Sequence, residues 1–307
     1  MPILSVRHLT RYRYRKPVAF GEHRMMLRPQ ESADQRLLDY TLTVSPEPTP
    51  LTWSRDSSGN AIAVARFMRK AKVLSAEAVF TVDHNPVAVL GARGEPLLGG
   101  GQLPVSYDDV EMKRLARFIR PQHADPSGEV REFAQAFVGV RGPTPVLGLL
   151  VQMTHAIRSD FTYGRRLSGG PQTPEQTLNR RAGACRDYAV LLMEAARSLG
   201  LAARFVSGYL VCAPGKAEGK GDGARVGGGH THAWAQVYVP GAGWVDFDPT
   251  NGIVGAQGLI RVAAVREPRA ACVLSGDYDG DAGDCLGMDV EVEVTELSDE
   301  ATVRFAA

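Results

Sequence analysis

The sequence predicts an α+β fold: a β-sandwich-like amino-terminal module, then a run of helices, then further strands. Three observations predict it. Residues 1–95 follow a period of two, with turn residues between the runs. Residues 109–200 change to helical spacing. Residues 203–247 return to strands separated by glycine-rich segments.

In the opening stretch Arg7, Leu9, Arg11, Arg13 and Arg15 alternate with His8, Thr10, Tyr12 and Tyr14. This predicts a strand with an arginine-lined, solvated face. Further strands are expected at 38–44, 61–67 and 74–82. Pro46-Glu47-Pro48 and Ser57-Ser58-Gly59-Asn60 supply turns between them. Residues 96–108, with Gly99-Gly100-Gly101 and Pro104, read as a linker. The expected division is a β-rich domain at 1–95, the linker at 96–108, a core at 109–258, and a carboxy-terminal β segment at 259–307 packing on the rest.

Residues 110–120 and 128–138 carry spaced apolar side chains, and 146–157 is more continuously apolar and so more buried. Thr173-Pro174-Glu175-Gln176 places a capping threonine before a proline, which starts a short helix. A stronger helix opens near Cys185. Its apolar stripe is Cys185, Tyr188, Ala189, Leu192, Ala195, Ala196 and Leu199, and Gly200 closes it. Strands at 203–211, 233–239 and 244–247 follow. The glycine-rich loop at 214–229 contains Lys216 and Lys220, but neither Gly-Lys step has the flanking Gly and Ser/Thr of a phosphate loop. It reads as a surface loop placed where it can cover His232 as a lid. The last strand is expected at 288–296. Asp277 to Asp281 has the acidity of a calcium loop but Ala282 and Met288 at the positions needing Gly and Glu, so it reads as an acidic hairpin turn.

Composition bounds the function. The chain has 307 residues, 44% hydrophobic and 22% charged, with a formal net charge of +1. That is a globular composition without the basic field of a nucleic-acid or anionic-membrane binder, so neither partner is expected. No segment reaches the roughly 18 apolar residues of a membrane helix, and the start lacks the apolar stretch of a secretory signal. A cytoplasmic protein is expected. The four cysteines form no C-x-x-C pair and no zinc spacing, so free thiols and no metal or cofactor are expected.

Cys185 opens its helix, where unpaired backbone N–H groups and the helix dipole favour an anion. Arg186 adds to this and Asp187 opposes it. On its own such a cysteine is most simply a core residue. His232 shares a strand face with Trp234, Gln236 and Tyr238, while Ala233, Ala235, Val237 and Val239 face the core. On the returning strand Trp244, Asp246 and Asp248 share a face. Pairing Val239 with Trp244 would put Asp248 on the wrong face for His232. Pairing Tyr238 with Trp244 puts Asp248 opposite Trp234 and diagonal to His232. That register calls for a five-residue loop or a bulge at 239–243. Spacing alone does not choose between Asp246 and Asp248. A metal site on His230-Thr231-His232 is a further alternative, without an evident third ligand.

Gly183-Ala184-Cys185-Arg186-Asp187-Tyr188-Ala189, then His232-Ala233-Trp234, then Trp244-Val245-Asp246-Phe247-Asp248-Pro249-Thr250 resemble, in order, the three motif blocks of the transglutaminase-like superfamily. Tyr12-Arg13-Tyr14 and Leu27-Arg28-Pro29 resemble the β-rich amino-terminal region of a bacterial branch. Gln236 stands where many relatives have Glu. The resemblance implies a papain-like α+β core and acyl transfer at an amide. Cys185 would be the nucleophile, His232 the base and Asp248 its orienting acid, with Arg186, Asp187, Trp234, Gln236 and Asp246 in support. The implied function is a cysteine-dependent peptide or amide hydrolase acting on a peptide or protein amide. A protein-crosslinking or amine-transferring enzyme and a non-catalytic peptide-binding module are the alternatives. Gln172, Gln176 and Asn179 are candidate amides for a second oxyanion donor.

Overall fold

The computed structural model describes residues 2–91, 94–166, 169–212, 225–226 and 228–297. The amino-terminal strands are β1 (Ile3–Phe20), β2 (His23–Met25), β3 (Gln35–Ser45), β4 (Leu51–Arg55), β5 (Ala61–Ala65) and β6 (Ala71–His84). Then come the helices α1 (Asp109–Ile119), α2 (Glu129–Gln135), α3 (Val146–Asp160), α4 (Pro174–Arg180) and α5 (Cys185–Ser198). The core strands are β7 (Ala203–Leu210), β8 (Thr231–Val239), β9 (Gly243–Asp248), β10 (Ile253–Val254) and β11 (Leu259–Val265), and β12 (Cys285–Glu296) is last. Among the described residues no helix is long and apolar enough to cross a membrane. The expected lid over 214–229 lies largely outside the described residues.

The first module is a sandwich of two antiparallel sheets. In one, β1 lies between β6 and β12, and β3 borders β6. In the other, β2 and β5 are neighbours and β4 borders β5. Met25, Leu27, Ala63, Ala65, Ala76 and Ala78 fill the space between them. The alternation in β1 has the meaning expected of it. Arg7 pairs with Glu77 and Arg13 with Asp289 on the wet face. His8 and Thr10, on the other face, are buried.

The core sheet is five-stranded and antiparallel, in the order β10-β9-β8-β7-β11. Helix α5 packs on one face. Its Ala189, Leu192 and Ala196 share a core with Ala233, Ala235, Val237 and Val239 of β8. Gly200, at φ +82°, ends the helix in the left-handed conformation that a Cβ disfavours. Glu194 and Arg197 form a buried ion pair near that end. Arg197 also donates to the carbonyls of Phe118, Ala203 and Arg266, and Glu194 accepts from the backbone of Gln122 and His123. Every charge is therefore hydrogen-bonded, which burial requires.

The other face of the core sheet is covered by the amino-terminal module. Leu4, Val6, Phe80 and Val82 pack on Tyr209, Ile260 and Val262. The face carrying His232, Trp234 and Gln236 is consequently buried, not open as its polar residues suggested. Two boundaries also move. The core does not stop at residue 258, because β11 pairs along β7 as the sheet's edge strand. Within the carboxy-terminal segment, β12 joins the amino-terminal sheet beside β1. The stretch read as a linker at 96–108 carries Gln102–Leu103, which pairs with Thr144–Pro145.

Candidate active site

The start of α5 is built around one carboxylate. Asp187 is fully buried. Its Oδ2 accepts the backbone N–H of Ala184 at 2.8 Å, closing one half of a capping box. Its Oδ1 accepts the backbone N–H of Gln172 at 2.7 Å and Arg166 Nη2 at 2.8 Å. Gln172 Nε2 adds a bond to Oδ2 at 3.1 Å. Asp187 is thus paired with Arg166 and holds the turn before the helix. Arg186 bends back, with Nη2 donating to the carbonyl of Arg166 at 3.1 Å. Gly183 has no room for a side chain, since a Cβ there would stand 2.9 Å from that of Asp187. The Gly-Ala-Cys-Arg-Asp run is therefore a device for starting the helix at Cys185. There the first-turn N–H groups of Cys185 and Arg186 have no carbonyl four residues back.

His232 stands second in β8 and is buried. Its Nε2 lies 2.8 Å from Oδ2 of Asp248. A carboxylate can only accept, so the proton is on Nε2. The register is the one that brings Asp248 round: Tyr238 pairs with Trp244 and Gln236 with Asp246. The expected five-residue loop or bulge is not needed. Val239 pairs with Gly243, the loop is Pro240-Gly241-Ala242, and Gly241 and Gly243 take φ of +83° and +79°. The Asp248 carboxylate also accepts the backbone N–H of Thr250 at 2.9 Å and Asn251 Nδ2 at 2.8 Å.

The electrostatics follow from this burial. Desolvation pushes the His232 pKa down. The charge and hydrogen bond of Asp248, with smaller contributions from Cys185, outweigh it and raise the imidazole to about 10. Burial pushes Asp248 up, but the His232 charge and its three hydrogen-bond donors hold it below the usual carboxylate value. The second ring nitrogen, Nδ1, is buried without a hydrogen-bond partner of ordinary geometry, while the Cys185 thiol is close enough to act on the ring. Loose thiol–imidazole geometry of this kind is usual before substrate binds.

The supporting residues divide by partner. Trp234 stacks near His232, with centroids 6.0 Å apart, and its Nε1 donates to Asp246 Oδ1 at 2.6 Å. Asp246 Oδ2 accepts Arg261 Nη1 at 2.9 Å. Arg261 in turn reaches the amino-terminal module, donating to Ser32 Oγ at 2.8 Å and to Asp34. Gln236 accepts Arg204 Nε at 2.8 Å and does not meet His232. Of the amides considered as oxyanion donors, Gln172 is engaged by Asp187, Ala182 and Arg180, and Gln176 closes the cap with Thr173. Asn179 is exposed. His230 Nδ1 lies 3.3 Å from Arg165 Nη2, a cation where a metal would need to bind. Among the described residues no group of three His, Cys, Asp or Glu side chains could hold a metal.

Sequence reasoning missed Asn251, Thr250 and Arg261. Asn251 had a signal, a turn-forming amide just after the carboxylate strand. Arg261 had none. The structure puts His232 and Asp248 in contact and sets the Cys185 thiol close enough to act on the imidazole ring. The set can hold a proton on Nε2, accept or give one at Nδ1, and present a sulfur to a carbonyl beside unpaired N–H groups.

Residues 4–83 match the family model of the bacterial transglutaminase-like N-terminal region, and residues 127–249 that of the transglutaminase-like superfamily. An uncharacterised protein of Mycobacterium bovis is 28% identical over 303 residues, covering 96% of this chain and 93% of its own. A protein-glutamine gamma-glutamyltransferase of Pseudomonas aeruginosa is 28% identical over 151 residues, 48% of this chain and 19% of that protein. A solved structure of a candidate cysteine protease from Cytophaga hutchinsonii superposes with a TM-score of 0.70 at 22% identity, over 97% of this chain and 91% of that one. With both regions matched and the fold shared along the whole chain, this protein belongs to the transglutaminase-like superfamily and carries the amino-terminal region of its bacterial members.

Proposed function

We propose that this chain is a cysteine-dependent peptide or amide hydrolase, with Cys185 as nucleophile, His232 as base and Asp248 as the group that orients the base. The observation that carries the reading is the fully buried 2.8 Å contact between His232 Nε2 and Asp248 Oδ2, which leaves Nδ1 for Cys185. In this reading the sulfur attacks the amide carbon, and the N–H groups of Cys185 and Arg186 hold the oxyanion. His232 protonates the departing amine from Nδ1. Water, deprotonated by the same nitrogen, then cleaves the thioester. Neither a metal nor a cofactor enters these steps.

The test is intact-mass trapping of the acyl-enzyme from a peptide library, followed by mapping of the adduct. The reading expects a thioester on Cys185 that is absent from Cys185→Ala and slow to clear in Asp248→Asn. A library processed equally by Cys185→Ala would overturn it. Adding a primary amine to the same reaction separates hydrolysis from amine transfer by the product formed.

A further inference from the structure

The wall beside Cys185 is cationic. Tyr163 pairs in parallel with Gly183, and the Gly164 N–H donates to the Gly183 carbonyl at 2.9 Å. The segment 162–166 therefore runs alongside the turn that leads into Cys185. Tyr163 is within electrostatic reach of Cys185, Arg165 and Asp248 together. Arg165 reaches from this wall to the other side of the site, where its Nη2 meets His230, two residues before His232, at 3.3 Å. Arg165 is exposed.

Among the described residues the two carboxylates of the site are already committed. Asp187 is held by Arg166, Gln172 and Ala184, and Asp248 by His232, Thr250 and Asn251. Among the described residues, Arg186 donates only to a backbone carbonyl and Arg165 contacts no carboxylate. Among the described residues Arg165 has no anion of its own, and an arginine so placed beside the turn into Cys185 is a ready receptor for a bidentate carboxylate.

We propose that Arg165 selects substrates that carry a carboxylate beside the scissile amide. This rests on the reading of Cys185 and His232 as nucleophile and base. The carboxylate can come from an acidic side chain or from a free chain terminus, and both present the same planar anion to the guanidinium.

Alkylation of Cys185 tests the cation without any substrate. The full-length protein is treated with iodoacetate, an anion, and iodoacetamide, its neutral counterpart, and the rate ratio at Cys185 is mapped by mass spectrometry. Because His232 is present throughout, its own attraction for the anion cancels between variants. The ratio should fall about threefold in Arg165→Ala and about tenfold in Arg165→Glu, while Arg165→Lys keeps most of it. A ratio unchanged in all three variants, with iodoacetamide still fast at Cys185, overturns this inference and leaves the proposed function standing. Slow iodoacetamide reaction at wild-type Cys185 overturns the proposed function instead. A second arm compares three peptide amides: one with Glu beside the scissile bond and blocked ends, one with Gln there and blocked ends, and one with Gln and a free carboxyl terminus. Faster turnover of the first assigns an acidic side chain, and of the third a chain terminus. Equal kcat/KM for all three overturns the selection.

Discussion

Trp234 Nε1 donates to Asp246 Oδ1 at 2.6 Å, and this bond separates two aspartates that spacing alone leaves equivalent. Asp246 and Asp248 lie on one face of the same strand, two residues apart. Asp246 is spent on Trp234 and Arg261, while Asp248 meets His232. The first holds the ring that stacks near His232, and the second holds the imidazole itself.

The two should separate in kinetics. Asp248→Asn is expected to lower kcat about a hundredfold or more, because the amide no longer favours a protonated Nε2. Asp246→Asn is expected to act mainly on stability, costing about 1–3 kcal/mol for the weakened buried bonds. Steady-state kinetics and urea denaturation on the same preparations check this. A larger kcat loss in Asp246→Asn would reverse the assignment.

Arg261 ties the sheet to the amino-terminal module through Ser32 and Asp34. Arg261→Ala leaves the Asp246 carboxylate buried without its cation, and should cost about 3–5 kcal/mol in denaturant unfolding. Pairing it with Asp246→Asn should recover part of that loss. A double variant no better than the single one would show that the charge is not the cause.

Gly208 pairs with His232 across the sheet. A Cβ there would stand 2.0 Å from the Ile260 carbonyl oxygen and 2.7 Å from the Trp234 ring. Gly208→Ala is therefore expected to cost about 1–3 kcal/mol and to lower turnover by shifting the Trp234 ring. Denaturation and kcat measured together should fall together. An unchanged kcat would mean that the Trp234 position does not matter to His232.

Two histidines give opposite limbs of a pH–stability curve. His232 is raised from 6.5 to about 10, so its stabilising contribution is complete below pH 6.5 and is lost as pH rises toward 10. His8 is buried against Tyr209, and burial lowers it from 6.5 to about 4. The unfolded chain binds that proton first, so stability falls as pH drops from 6.5 toward 4. In thermal melts against pH, Asp248→Asn should flatten the alkaline limb and His8→Gln the acid limb. An acid limb unchanged in His8→Gln would assign it to other groups.

Much of the site was legible because local rules carry it. The cap at Thr173, the stripe of α5 and the stop at Gly200 follow from spacing within one helix turn. The register of Tyr238 on Trp244 was fixed by demanding that Asp248 reach His232. The remainder depended on contacts distant in sequence. Nothing near Arg261 announces that it will meet Asp34, and nothing in β8 shows that a second module will bury its polar face. The loop at 239–243 was overestimated because two glycines with positive φ turn the chain in fewer residues than ordinary ones need. The four donors on Asp187 come from residues 166, 172 and 184, which meet it only in the folded chain.

The most direct test of Cys185 as an activated nucleophile is the mapped rate of iodoacetamide modification at neutral pH for each cysteine, in the wild type and in His232→Ala. The account predicts that Cys185 reacts about tenfold or more faster than Cys212, Cys272 and Cys285, and that His232→Ala removes this advantage. A wild-type Cys185 that reacts no faster than the other three, or an advantage that survives His232→Ala, would contradict it.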